Sequence, residues 1–300
     1  MANLRVLVKR RKAVRNIRKI TKTMELIATA RFKKALDRAT EAEAYTRKIA
    51  ELAADLSKNA GDVSHPLLVT RPVKKTLLLV ITANRGLCGG YNGGVLREAL
   101  PMTRQYTANN TPFDLEVSGK RGIAFFKFQG VPRTQEYITF EDKPAFAEVD
   151  VVASRYIDLY TSGAIDEVKV VYTKFINAAR QQAVTETLLP LSSVTVETRK
   201  PTQNQGADAP RSEAKVNYEF IPDAAEILEE LVPAALKVRL FKMFLDAAVS
   251  EQIARRVAMK AATENAGDLI KDITRVYNRT RQANITKEIS ELIAGSEALK

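Results

Sequence analysis

Residues 249–277 read VSEQIARRVAMKAATENAGDLIKDITRVY. Apolar side chains recur there at Val249, Ile253, Val257 and Ala261, then at Ala266, Leu269, Ile273 and Val276, a three-and-four spacing that lays one stripe along a helix. The stretch lies within a run from Pro222 to Gly295 broken only by Pro233 and Gly267, the two residue types costliest in a helix interior. A helix of that extent would measure roughly 105 Å, and helices beyond about 25 residues point to a coiled coil, a membrane span or a repeat. Glu251, Arg255, Arg256, Lys260, Asp268, Lys271 and Asp272 exclude the membrane span. A coiled coil remains, and a second helix must cover the stripe.

The second helix is at the other end of the chain. Residues 3–59 contain neither Gly nor Pro, and the spacing Ile17, Ile20, Met24, Ile27 continues into Ile49, Leu52 and Leu56. Gly61 and Pro66 end a helix of roughly 85 Å. If both helices leave one domain and pair antiparallel, the end of the first near residue 58 faces the start of the last near residue 222, and Met24 sits beside Arg256. On that register the first helix is exhausted opposite Tyr277, leaving a single projecting tip of about 30 Å. A polar stretch, Asn278 to Gln282, then precedes Ile285, Ile289, Leu292 and Ile293, which require a partner protein to leave water.

The net charge of +12 is concentrated at the start, where residues 1–38 hold thirteen Lys or Arg against Glu25 and Asp37 alone. A basic, acid-poor, amphipathic N-terminus also has the composition of a mitochondrial transit peptide, but the apolar spacing that continues past it favours a structural helix. Lys9, Arg10, Arg11, Lys12, Arg15, Arg18, Lys19 and Lys22 suit two kinds of partner: nucleic acid, although no aromatic residue is interleaved for stacking, or an acidic protein surface. One cysteine, Cys88, excludes an internal disulfide; with the lone His65 it leaves no zinc-finger set and favours a reducing compartment. No apolar run approaches about 18 residues, so no transmembrane segment is expected.

The middle of the chain alternates strand and helix patterns. Strands are expected at Thr76–Thr82, Phe113–Ser118, Thr134–Thr139, Glu167–Phe175 and Ala183–Leu188, with helices at Gly94–Leu100, Arg121–Gln129 and Pro144–Ser162. Such alternation implies a mostly parallel sheet covered by helices. Ser192–Lys215 is polar and rich in Pro, Gly, Gln and Asn and reads as a loop, Val216–Phe220 as an edge strand, and Pro233 as a kink or restart in the last helix. The expected organisation is an N-terminal coiled-coil helix (1–60), a Rossmann-like α/β foot domain (61–220, with the loop at 192–215) and a C-terminal coiled-coil helix with a projecting tip (221–300).

The loop from Asn84 to Gly94, NRGLCGGYNGG, follows a strand and opens a helix, where a phosphate cradle would be placed. Its spacing matches neither G-x-G-x-x-G nor G-x-x-x-x-G-K-[ST], which favours a tight strand-to-helix turn over a nucleotide site. A single histidine and no ligand cluster leave no equipment for acid–base or metal catalysis, so neither catalysis nor a cofactor is expected.

Several segments carry a resemblance. ITKTME (20–25), NRGLCGGYN (84–92), RVAMKAATENA (256–266), LIK (269–271), VYNR (276–279) and RQANIT (281–286) resemble the gamma-subunit family of F-type ATP synthases, in the right order along essentially the whole chain. The resemblance implies a non-catalytic rotor: two antiparallel helices inside a hexamer of alpha and beta subunits, with the α/β domain at the foot beside the epsilon subunit and the membrane ring. One copy per complex, no nucleic acid, no catalytic nucleotide and a place on the cytoplasmic face of a bacterial membrane, with the mitochondrial matrix face as the other choice, belong to the same expectation. By the same resemblance Lys22, Met24 and Arg256 match positions at the coupling level. Arg281 and Gln282 match a polar contact that catches a beta-subunit loop, and Thr286, Glu288 and Glu291 match neighbouring contacts. Ile285, Ile289, Leu292 and Ile293 match the tip held in an apolar sleeve. Lys287, where many members carry Gln, and the polar ending GSEALK (295–300) depart from the pattern, and there is no two-cysteine insert of the chloroplast type.

Overall fold

The computed structural model describes residues 4–59, 65–140, 143–191 and 224–298. The loop expected at Ser192–Lys215 and the edge strand at Val216–Phe220 lie outside the described residues. The elements run α1 (Leu4–Asn59), a 3-10 turn (Pro66–Leu68), β1 (Thr76–Ile81), α2 (Tyr91–Ala108), β2 (Phe113–Ser118), α3 (Lys120–Phe128), β3 (Gln135–Tyr137), α4 (Phe146–Thr161), β4 (Glu167–Phe175), β5 (Gln181–Leu189) and α5 (Ala224–Ala298). The chain divides into two compact units, one of residues 1–33, 86–90 and 251–300, the other of 34–85 and 91–250.

The larger unit is a five-stranded sheet of order β3-β2-β1-β4-β5. The first four strands are parallel and β5 runs antiparallel to β4, so the sheet is the mostly parallel one expected of strand–helix alternation. β1 is buried at all six positions, as a central strand covered on both faces must be. Leu78 and Val80 pack with Val95, Leu96 and Ala99 of α2 and Phe126 of α3. Leu77, Leu79 and Ile81 point the other way, against Val149, Val152 and Tyr156 of α4 and Leu236, Leu240, Met243 and Phe244 of α5. The early part of α5 is thus a layer over the sheet, with Ile49 of α1 packed on Ala235 and Val238.

Two breakers fail to break. α2 begins at Tyr91, earlier than expected, and carries Pro101 inside it. α5 continues as one helix through Pro233, so the helix does not restart there. Val232 and Leu236, buried on either side of that proline, anchor both flanking turns to the core and offset the lost backbone hydrogen bond.

Glycines are required at two neighbouring points. Gly119 has φ +97°, and a Cβ there would lie 2.1 Å from the Thr82 carbonyl oxygen. At Gly122 a Cβ would meet Thr82 Oγ1 at 2.6 Å, because α3 starts hard against the end of β1, where the Gly122 N–H donates to that hydroxyl at 2.9 Å.

Candidate interaction surface of the paired helices

In the smaller unit the first part of α1 and the last part of α5 pair antiparallel. Thr21 and Thr263 are joined by a 2.8 Å hydroxyl hydrogen bond, the Arg18 guanidinium lies against Gly267, and the Arg11 guanidinium sits 5.2 Å from the centre of the Tyr277 ring. As the α1 number falls the α5 number rises, which fixes the direction.

These contacts correct the expected register by about one turn, since Thr21 opposite Thr263 places Met24 opposite about residue 260 and not at Arg256. Met24 is half-buried and Arg256 exposed. The expected register rested on where the helices end, whereas interlocking side chains set the real one. Pairing also reaches further than Tyr277: Thr280 and Asn284 remain partly covered, and from 285 to 296 every residue is exposed.

The buried face of α1 differs from the expected stripe as well. Within this unit the covered residues are Leu4, Leu7, Arg11, Val14, Thr21, Met24, Glu25, Ala28, Thr29, Arg31 and Phe32, a stripe spaced mainly by three and four with small or polar side chains at its centre. Ile17, Ile20 and Ile27, expected on the inside, are 52%, 59% and 47% exposed. On α5, Ile253, Met259, Ala266 and Ile273 are buried as a seam should be, but Val257, Leu269 and Val276 face outward. Both helices therefore keep an outward apolar surface that neither needs for the pair.

Charge surrounds that surface. Residues 4–33 carry eleven Lys or Arg against Glu25 alone, and Glu25 already holds Lys22 at 3.1 Å. Lys9, Arg10, Lys12, Arg15 and Lys19 are exposed. Arg255, by contrast, is buried and paired with Glu251 one turn before it at 2.5 Å, so it serves the helix and not the surface.

The remaining expected contact residues gather on one segment. Arg281, Gln282, Thr286, Glu288 and Glu291 are all exposed, with Glu291 3.4 Å from Lys287. Ile285, Ile289, Leu292 and Ile293 are exposed by 48% to 74%. Arg18 and Thr21 did not figure in the sequence reading of the seam, in which Tyr277 marked only its end. The signal that pointed to them was Gly267, a glycine inside a long helix with no turn to make.

The glycine-rich loop has a packing role. Gly89 has φ +57°, and a Cβ there would touch Ala258 at 3.6 Å, so the loop meets α5 at Gly89, with Cys88 buried next to it. Next to it in sequence, Asn92 Oδ1 accepts the Ala83 N–H at 2.9 Å. Asn84 Oδ1 accepts the Lys120 N–H at 3.0 Å, and its amide donates to the Ile138 and Phe140 carbonyls. The polar side chains flanking the glycines are thus engaged in holding the strand-to-helix turn. Among the described residues no cluster of His, Cys, Asp or Glu has the form of a metal site.

A family model described as ATP synthase matches residues 3–299. The chain is 52% identical over the full length of both proteins to the ATP synthase gamma chain of Rhodopirellula baltica, and 39% identical, again over both full lengths, to that of Leptospira biflexa. Among solved structures, the rotor of the Euglena gracilis mitochondrial ATP synthase superposes with a TM-score of 0.62 at 17% identity, over 94% of this chain and 98% of that one. The central stalk and ring of the Tetrahymena thermophila enzyme gives 0.55 at 21% identity, over 81% and 99%.

Proposed function

We infer the function from one premise: the chain belongs to the ATP synthase gamma-chain family. It is a rotor subunit without catalysis of its own, and the catalytic sites it serves are on beta subunits. The nucleic-acid alternative is set aside, because the basic face of α1 belongs to a helix pair of this family and needs no duplex to account for it. The observation that supports the rotor reading best is the outward surface of the pair. Ile17, Ile20 and Ile27 on one helix, Val257, Leu269 and Val276 on the other, and the apolar residues of the 285–296 tip are exposed at once, far more than a helix pair free in water keeps.

The partners are the alpha and beta subunits around the pair and tip, and the epsilon subunit and membrane ring at the α/β unit. Basic residues of α1, Lys22 among them, face acidic loops of beta, and Met24 and Arg256 lie at the coupling level. Arg281 and Gln282 engage a beta loop, Thr286, Glu288 and Glu291 flank that contact, and Ile285, Ile289, Leu292 and Ile293 run in an apolar sleeve. Close-packed side chains pass strain on with little compression, so a turn applied at the foot reaches the beta sites and drives them through their nucleotide states. ATP hydrolysis turns the rotor in reverse. Among the described residues no helix is long and apolar enough to cross a membrane. The chain is held at the membrane through its complex, on the cytoplasmic face of a bacterial one.

The test is co-assembly with alpha and beta subunits, read by mass, followed by steady ATP turnover. Arg281→Ala with Gln282→Ala is expected to lower turnover of the assembled complex with the chain's circular dichroism unchanged. Full turnover by a verified, assembled double mutant would refute the role given to the tip contact.

A further inference from the structure

On α1 two stripes run side by side, one residue out of step. Ile17, Ile20, Met24 and Ile27 each stand immediately before Arg18, Thr21, Glu25 and Ala28, so the first set is the second turned by about 100° around the helix. By apolar content the first set should be the one that faces α5. The opposite holds: Thr21 and Ala28 are 9% and 0% exposed while the three isoleucines look outward. Between Ile17 and Ala28 apolar burial alone does not set the rotation of α1, although Leu7, Val14 and Phe32 of the covered face bury apolar surface on either side of that window.

Three seam contacts help to set it. Thr21 donates to the Arg18 carbonyl at 3.1 Å, which fixes its rotamer, and its oxygen accepts from the Thr263 hydroxyl at 2.8 Å, whose one proton is shared with the Met259 carbonyl at 2.8 Å. A Cβ at Gly267 would lie 3.7 Å from Arg18 Nε and 3.9 Å from its Cζ, so the guanidinium occupies the space that any side chain longer than Ala would take. Arg11 over the Tyr277 ring repeats the arrangement toward the N-terminus of α1. Each contact is lost if α1 turns by one position, since Ile17 and Ile20 would then stand where Arg18 and Thr21 stand.

We propose that Arg18 lying across Gly267, together with the Thr21–Thr263 hydrogen bond, is a rotational lock that holds α1 against turning its isoleucine stripe inward onto α5. Polar contacts in the middle of the seam give up apolar burial there and keep the isoleucine face of α1 outward for partners. The lock is a property of this chain alone; its use, keeping a turn of α5 from being spent in a roll of α1, rests on the rotor reading.

Oxidative crosslinking of the purified full-length chain, with Cys88→Ser to remove the native thiol, tests it. Both reporter pairs give up the hydroxyl bond and leave Arg18 across Gly267 as the remaining hold: Thr21→Cys/Thr263→Cys should close readily, and Ile20→Cys/Thr263→Cys roughly tenfold more slowly, because a turn of about 100° carries the second pair outside bridging distance. Adding Gly267→Leu, or separately the milder Arg18→Ala, should bring the two rates to within about twofold of each other. Rates that keep their original ratio in both backgrounds overturn the lock. If Gly267→Leu does not fold, Arg18→Ala decides alone, since it removes the guanidinium and adds no bulk. Crosslinking that behaves as expected while the parental chain fails to assemble with alpha and beta subunits would leave the lock standing and remove the rotor role.

Discussion

The α/β unit contains one buried charge whose removal has a calculable effect. Glu116, in the middle of β2, is 1% exposed, and its carboxylate accepts hydrogen bonds from Tyr156 Oη at 2.7 Å, Tyr137 Oη at 2.9 Å and Arg155 Nη2 at 2.5 and 2.6 Å. Burial, and after it the negative charge of Glu116, pushes the pKa of both phenols well above the ordinary tyrosine value, so they stay protonated and donate. Glu116→Gln keeps the shape but offers one acceptor oxygen to three donors, and its own amide group points a donor at them. Losing one or two charge-assisted bonds of about 1.5–3 kcal/mol each, with Arg155 39% exposed and able to turn its charge toward water, places the cost at about 2–4 kcal/mol. At roughly 2–4 °C per kcal/mol for a unit of this size, the melting temperature should fall by about 5–15 °C. The assay is thermal and urea unfolding by circular dichroism, repeated for Tyr156→Phe and for the double variant. Because Phe removes the donor that Gln strands, the double variant should cost about 1 kcal/mol less than the two single costs added. An unchanged melting temperature for Glu116→Gln, or strict additivity in the cycle, would refute this account of the network.

Three further outcomes follow from other sites. Gly119→Ala, which must accept φ +97° and a Cβ 2.1 Å from the Thr82 carbonyl, should cost more than about 2 kcal/mol and show as a large loss of melting temperature or of soluble yield. Gly267→Ala should act in the opposite direction, since its Cβ makes only ordinary contact with Arg18 and Ala is the better helix former by about 1 kcal/mol; a lower melting temperature would show that the space is tighter than 3.7 Å implies. Asp166 gives a pH signature. Burial raises its pKa, but the Lys74 and Lys75 N–H groups at 2.9 and 3.0 Å and the Arg71 guanidinium at 2.9 Å outweigh burial and hold it below the usual carboxylate value. A lowered folded pKa contributes stability that is complete above the ordinary value and is lost as pH falls through the lowered one. The stability gap between the parent and Asp166→Asn should therefore be widest near neutrality and close in acid, as read by melting temperature against pH.

Much of this protein is written locally. The absence of Gly and Pro over residues 3–59, the three-and-four spacing of α5 and the apolar runs of β1, β2 and β4 depend on near neighbours in sequence, and the structure places those elements within a residue or two of where the pattern sets them. The mostly parallel sheet and the antiparallel pairing of the terminal helices follow from the order of elements. The family is legible along nearly the whole chain, since the family model matches residues 3–299. What the local pattern does not contain is which face of a helix is covered and by what. A one-position error turns a helix by about 100°, and between residues 17 and 28 of α1 the more apolar stripe faces outward while Thr21, Glu25 and Ala28 are covered, with Thr263 and Gly267, more than two hundred residues away, meeting Thr21 and Arg18. Pro233 similarly fails to end α5 because the core holds the turns on either side of it. The sequence by itself determined the elements, their order and the family; only tertiary contact decided the rotation and register of the helix pair, since apolar content ranks faces by average burial while hydrogen bonds and close packing select one particular partner.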